Sequence, residues 1–156
     1  MKRLFPILIV VLVLTLAACD TDRVYQQTYD FDETGWHMDS IPSFSFEIED
    51  AAPKNLKLHL RNSIAYPTYN VYLTYFLEDS TGRELASELI NIELFNPKTG
   101  APKGSGSSIY QQEVDILSNY SFPTTGTYTF RVVQYMRELQ LKEILSVGLR
   151  VEKASE

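Results

Sequence analysis

Position 19 of this 156-residue chain holds its single cysteine, and Cys19 is the one side chain whose chemistry follows directly from its neighbours. Lys2 and Arg3 form a short positive region, and Leu4 to Ala18 is apolar apart from Pro6 and Thr15. That run has the length of a signal-peptide core, whereas a helix crossing roughly 30 Å of hydrocarbon needs about 20 apolar residues. Ala17 and Ala18 then offer a peptidase pocket little bulk. Leu16-Ala17-Ala18-Cys19 fits the bacterial lipobox: the thiol is alkylated with diacylglycerol, the leader is cut before Cys19 and the new amine is acylated. At about 0.8 kcal/mol per buried CH₂, two or three acyl chains hold a protein durably where one holds it only marginally. Residues 1–18 are therefore expected to be a lipoprotein signal peptide, and Cys19 the lipidated first residue of a protein anchored in the cell envelope, on the periplasmic side or the outer membrane. With no second cysteine, a disulfide within the chain is excluded.

No other residue set has the spacing of a familiar catalytic or metal site, and no cofactor is expected. The two histidines, His37 and His59, lack ligand spacing, and there is no G-x-S-x-G elbow or H-E-x-x-H pair. Lys103-Gly104-Ser105-Gly106 has neither the Walker spacing nor a helix after it to face a phosphate. Asp30, Asp32 and Glu33, or Glu47, Glu49 and Asp50, are oxygen donors without an EF-hand pattern. Scattered carboxylates leave a glycosidase-like pair as the one enzymatic alternative, which would need two of them brought together from separate strands. The net charge of −6, more negative once Lys2 and Arg3 are removed, disfavours phosphate backbones and excludes nucleic acid as an expected partner.

The elements behind these residues read as strands. From Ser43 the text has period two: Phe44, Phe46 and Ile48 alternate with Ser45, Glu47 and Glu49. The pattern returns in Leu56, Leu58 and Leu60, in Val71, Leu73, Tyr75 and Leu77, and in Ile90, Ile92 and Leu94. It recurs in Tyr128, Phe130 and Val132 and in Leu145, Val147, Leu149 and Val151, with Gly- and Pro-rich turns between runs. Arg137 to Glu143 reads as a helical turn or a wide loop. One-faced sheets with no long amphipathic helix between them must bury their apolar sides against each other. The expectation is an all-β antiparallel β-sandwich of seven or eight strands, immunoglobulin-like or jelly-roll-like, over residues 43–156. Residues 19–42, acidic and without a sustained period, read mainly as a lipidated tether, with Val24, Tyr25, Phe31 and Trp36 able to dock part of it. Phe122-Pro123-Thr124-Thr125-Gly126-Thr127-Tyr128 resembles a tyrosine corner, in which the phenol bonds back to nearby backbone as the chain changes sheet. Surface tyrosines, with Tyr66, Tyr69, Tyr72, Tyr110 and Tyr120 as candidates, would suit a glycan-binding alternative.

Several motifs occur in a fixed order: Leu60-Arg61-Asn62 with Tyr66-Pro67 and Asn70, then Gly104-Ser105-Gly106 with Tyr110. Gly126-Thr127-Tyr128 follows, leading to Gln134-Tyr135-Met136-Arg137 and Val147-Gly148-Leu149-Arg150-Val151. In this order, and with the lipobox cysteine and a tryptophan-bearing segment ahead, the chain is similar to the GldH family of gliding motility-associated lipoproteins of Bacteroidetes. The resemblance implies a non-enzymatic envelope lipoprotein tied to the gliding machinery and the related type IX secretion apparatus. Its partners would be the membrane, through the lipid, and other envelope or gliding/secretion proteins. Matched positions able to contact a partner are Arg61, Asn62, Tyr66, Asn70, Tyr110 and Arg137. Arg61, Asn62 and Asn70 also bracket a Tyr-Pro turn that such residues shape by themselves. Arg137 carries a planar fork suited to carboxylates and aromatic faces.

Overall fold

Residues 22–154 are described in the computed structural model of the chain; the signal-peptide residues and Cys19 lie outside them. Eight strands of six or more residues make up the body: β1 (Arg23–Asp30), β3 (Ser43–Ile48), β4 (Lys54–Ser63), β5 (Asn70–Asp79), β6 (Glu84–Glu93), β8 (Ile109–Tyr120), β9 (Gly126–Gln134) and β11 (Ile144–Lys153). Three two-residue strands, β2 (Trp36–His37), β7 (Ser105–Gly106) and β10 (Gln140–Leu141), complete the set among the described residues. One sheet has the order β1-β11-β4-β8-β7 and the other β3-β9-β5-β6, with β10 and β2 forming a small separate ladder.

The pairing of the long strands identifies the architecture. First pairs with last (β1 with β11), second with second-last (β3 with β9), third with third-last (β4 with β8), and the two in the middle with each other (β5 with β6), all antiparallel. This is one long hairpin rolled into two sheets, the jelly-roll solution, which decides between the two sandwich types expected. The tyrosine corner is present within it. Tyr128 Oη donates to the Thr124 carbonyl at 2.6 Å as the chain passes from β8 in one sheet to β9 in the other.

The core lies between the inner faces. Leu56, Leu58 and Leu60 on β4 and Val147, Leu149 and Val151 on β11 face Phe44, Phe46, Tyr75, Tyr128, Phe130 and Val132 on the opposite sheet. On β11 the expected register fails at one end: Ile144 is buried and Leu145 only half-buried, because a bulge between Ile144 and Ser146 shifts the alternation. Arg137 to Glu143 is not a helical turn. It is a loop carrying the two-residue strand β10.

The boundary at residue 43 also differs from the structure. β1 is the edge strand of the first sheet, with Tyr25 opposite Val151 and its ring 5.6 Å from that of Phe46. Trp36 is fully buried, stacked on Phe31 at 4.9 Å, and its Nε1 donates to the Ser40 carbonyl at 2.8 Å. Gly35, at φ +85°, is the close approach that lets this loop meet β10; any Cβ there would collide with the Leu141 carbonyl. Val24, Tyr25, Phe31 and Trp36 thus pack on the body, and the first strand among the described residues opens at Arg23.

Candidate functional site

Jelly-roll connectivity sorts the loops into two ends. Residues 31–42, 64–69, 94–108 and 135–143 join strands at one end. Residues 49–53, 80–83 and 121–125 join them at the other, where the chain also enters at Asp22 and where Lys153 bonds the Asp22 carbonyl at 2.8 Å. We call these the far and near ends. Strands of 6 to 12 residues rising about 3.3 Å each separate them by roughly 20–40 Å.

Large apolar side chains left in water gather at the far end. The exposed ones are Tyr29, Met38, Ile41, Ile64, Tyr69, Tyr72, Leu89, Ile109, Tyr135 and Leu139. All except Leu89, which sits midway along β6, lie in the far loops or at the strand ends that enter them. Tyr135 and Leu139 are the most open, at 67% and 65%. They are held rather than floating. Tyr135 N donates to the Tyr72 carbonyl, Met38 N to the Leu139 carbonyl and Ile64 N to the Ser108 carbonyl. The buried side chain of Gln134 braces the turn from both sides, donating to the Glu138 carbonyl and accepting from Met136 N, each at 2.9 Å.

Between the 64–69 loop and the 136–143 loop runs a groove of about 480 Å³, lined by Tyr66, Pro67, Met136, Glu138, Leu141 and Lys142 among others. Tyr66 is 6% exposed and its hydroxyl has no hydrogen-bond partner of normal geometry. Thr68 beside it donates instead to the Asn70 carbonyl. Burial pushes the Tyr66 phenol up from its ordinary value, so it stays neutral, a donor as well as an acceptor.

Beside the apolar surface is an acidic lobe. Between Arg23 and Lys54 there is no lysine or arginine, and Asp30, Asp32, Glu33 and Asp39 are all exposed. The Thr34 hydroxyl, bonded to the Asp32 carboxylate, holds that group below its usual range. Among the described residues no three His, Cys, Asp or Glu side chains are grouped so as to hold a metal ion.

The residues matched by family order divide in two. Asn62 is fully buried, its Nδ2 on the Ser63 carbonyl, and Asn70 is nearly so, donating to Asn91 Oδ1 at 2.6 Å. Both brace strand ends and neither presents a contact surface. Tyr110 Oη donates to the Ser107 carbonyl at 2.9 Å and closes the turn before β8. Arg61 is half-buried on the outer face of the first sheet, Tyr66 forms part of the groove, and Arg137 stands exposed in the far loops. Of the tyrosines considered for a glycan platform, Tyr69 and Tyr72 are exposed. Tyr120 instead packs edge-on against Phe122.

The two histidines lie apart. His37 is on β2 in the far loops. His59 is on the outer face of β4, 3.1 Å from Glu113, and burial lowers its pKa against the pull of that carboxylate. The same outer face carries Lys57 between Glu113 at 3.0 Å and Glu152 at 2.7 Å, with Arg150 on Glu152 at 2.7 Å. The hydrogen bonds that Lys57 donates to Glu152 and then to Glu113 raise its pKa far above the ordinary value. Lys57 and Arg150 are thus paired with Glu113 and Glu152 in one charge ladder.

Sequence reasoning had no access to the far end as a surface. Tyr135, Leu139, Met38 and Ile64 carried one readable signal, large apolar residues inside turn-rich segments where alternation has stopped.

A gliding motility lipoprotein GldH of Flavobacterium johnsoniae is 29% identical over 147 residues, covering 88% of this chain and 89% of its own length. Among solved structures, the VP2 subviral particle of infectious bursal disease virus is similar with a TM-score of 0.45 at 15% identity, over 86% of this chain and 33% of that one. The K1 cleaved adhesin domain of Lys-gingipain from Porphyromonas gingivalis has a TM-score of 0.36 at 15% identity, over 90% and 88%. The family model described as GldH lipoprotein matches residues 23–151, from the first residue of β1 into β11, and the chain belongs to that family.

Proposed function

We propose that this chain is an envelope lipoprotein held to a membrane by lipid on Cys19, and that it serves the gliding motility machinery and its related secretion apparatus through protein contacts rather than catalysis. The observation that carries the reading is the family match, which coincides with the whole rolled hairpin and begins four positions after the lipobox cysteine. Lys57 is paired with Glu113 and Glu152 on the outer face, and Gln134 and Tyr110 of the matched motifs brace turns, which leaves the exposed apolar residues and the acidic lobe as the surface open to contact.

Deleting the gene in a gliding host should abolish spreading and impair secretion of surface proteins, and restoring it should repair both. Normal spreading and secretion in the deletion strain would count against the motility role. Replacing Cys19 with Ser should release the protein from the membrane fraction or leave it unprocessed. Retention of a processed, membrane-bound chain would count against the anchor.

A second reading, glycan binding, is favoured by one feature: Tyr72 and Tyr135, both exposed, are bonded neighbours. Binding on a glycan array that is lost in Tyr135→Ala would support it.

A further inference from the structure

We propose that the far end of the jelly roll is a docking surface for another protein, one that presents an apolar centre with a basic margin and sits away from the membrane holding Cys19. The inference rests on the lipid-anchor reading above and adds the place and chemistry of the contact. Three residues' advance separates Cys19 from Asp22, and a chain spans at most about 3.6 Å per residue, so the anchor lies within roughly 11 Å of Asp22. Asp22 is at the near end. A roll standing on that anchor holds the apolar residues of the opposite end off the membrane, and the acidic lobe beside them disfavours laying that end down on an anionic surface, so they need another occupant.

Two observations select a protein. Five of the nine far-end residues, Met38, Ile41, Ile64, Ile109 and Leu139, are aliphatic, surface that a sugar ring covers poorly and an apolar protein face covers well. The four carboxylates of the acidic lobe repel the anionic surface of a second membrane and attract lysine or arginine on a protein. A second copy would bring an identical acidic lobe, so self-association gains nothing from this margin.

The test places a photo-crosslinking residue in the full-length chain, in its own cells, at Met38, Tyr72, Tyr135 or Leu139 and, for comparison, at Ala52, Thr81 or Thr125 of the near end. The far positions should give one protein adduct of constant added mass and the near ones none. That adduct should fall at least tenfold with Tyr135→Ser plus Leu139→Ser, and severalfold with Glu33→Lys plus Asp39→Lys. Membrane retention should be unchanged throughout, and unfolding midpoints should remain near wild type, because the four outer positions are open to solvent. Spreading should fail in the Tyr135/Leu139 variant.

Adducts of twice the chain's mass, adducts with lipid alone, equal yields from both ends, or no adduct from any far position would each overturn the proposal. So would an unchanged adduct after charge reversal. If deleting the gene leaves spreading intact, the motility reading fails by itself. If deletion stops spreading but the Tyr135/Leu139 variant spreads normally, the docking surface fails and the motility role stands.

Discussion

Trp36 is the sharpest test of whether the acidic segment ahead of residue 43 belongs to the fold. Its indole is fully buried, stacked on Phe31 and bonded through Nε1 to the Ser40 carbonyl. Trp36→Phe keeps a ring against Phe31 but removes the N–H, costing about 1 kcal/mol. The smaller ring leaves space worth about 1–2 kcal/mol more, for a sum of roughly 2–3 kcal/mol. Trp36→Ala removes the stack as well and should cost about 3–5 kcal/mol. Urea unfolding of the chain lacking its leader, followed by circular dichroism, measures both differences at constant m-value. Trp36 is the only tryptophan, so its fluorescence in the parent protein reports this site alone, and its red shift should coincide with loss of sheet signal in one transition. A tether would behave otherwise. A Trp36→Ala cost within about 0.5 kcal/mol, the usual range for surface substitutions, would refute the reasoning, as would a fluorescence transition well ahead of the sheet signal.

Three further outcomes are expected. Tyr128→Phe should destabilise by about 1–2 kcal/mol, because the Thr124 carbonyl loses its donor inside a part-buried corner, and this should appear as a lower urea midpoint. Glu152 is held below its usual carboxylate range, first by its hydrogen bond to Lys57, so it contributes stability above about pH 4.5 that is lost as pH falls through its lower folded value; Glu152→Gln should flatten the acid limb of a midpoint-versus-pH curve. His59 is lowered mainly by burial, which makes the unfolded chain bind the proton more readily, so stability should decline as pH drops through about 6.5, and His59→Gln should remove that slope.

How legible all this was depended on how local each signal is. Period-two alternation gave the core faces of β3, β4, β5 and β9 because each has one side against the opposite sheet, as the burial of Phe44, Leu58, Leu73 and Phe130 shows. β1 escaped because it is an edge strand. Only Val24 and Tyr25 are half-buried in Arg23–Asp30, so its sequence had no face to display beyond a few β-branched and aromatic residues. On β11 the bulge added a residue that no periodicity could announce. The lipobox is a linear motif, read from the sequence alone, and it lies outside the described residues. Asn62 and Asn70 carried two readings in the sequence, partner contact and turn bracing, and both side chains turn inward, Asn62 onto the Ser63 carbonyl and Asn70 onto the Asn91 side chain. The far-end surface could not be read from any one segment, since it is assembled from four loops and exists only after the hairpin rolls.

That assembly follows from the topology itself. A hairpin rolled from eight long strands returns its last strand beside its first, which brings both the entering and the leaving chain to one end. Of the seven connections, three must turn back at that crowded end, and they are short: 49–53, 80–83 and 121–125. The other four cross at the opposite end, where no terminus competes for space, and there the insertions accumulate: 31–42, 64–69, 94–108 and 135–143. Long connections are where a rigid scaffold can carry binding residues without disturbing its sheets. The proposed lipid on Cys19, just ahead of β1, would therefore fix more than location. It would orient the roll so that the end with the shortest turns faces the anchor and the end with the longest loops, the groove and the uncovered apolar side chains faces away from it. Lengthening the link between Cys19 and Arg23 should leave the docking surface intact but let it tilt and move further from the membrane. A partner held at fixed height would then be engaged less efficiently by the longer-linked chain, and the loss should grow with each inserted flexible segment.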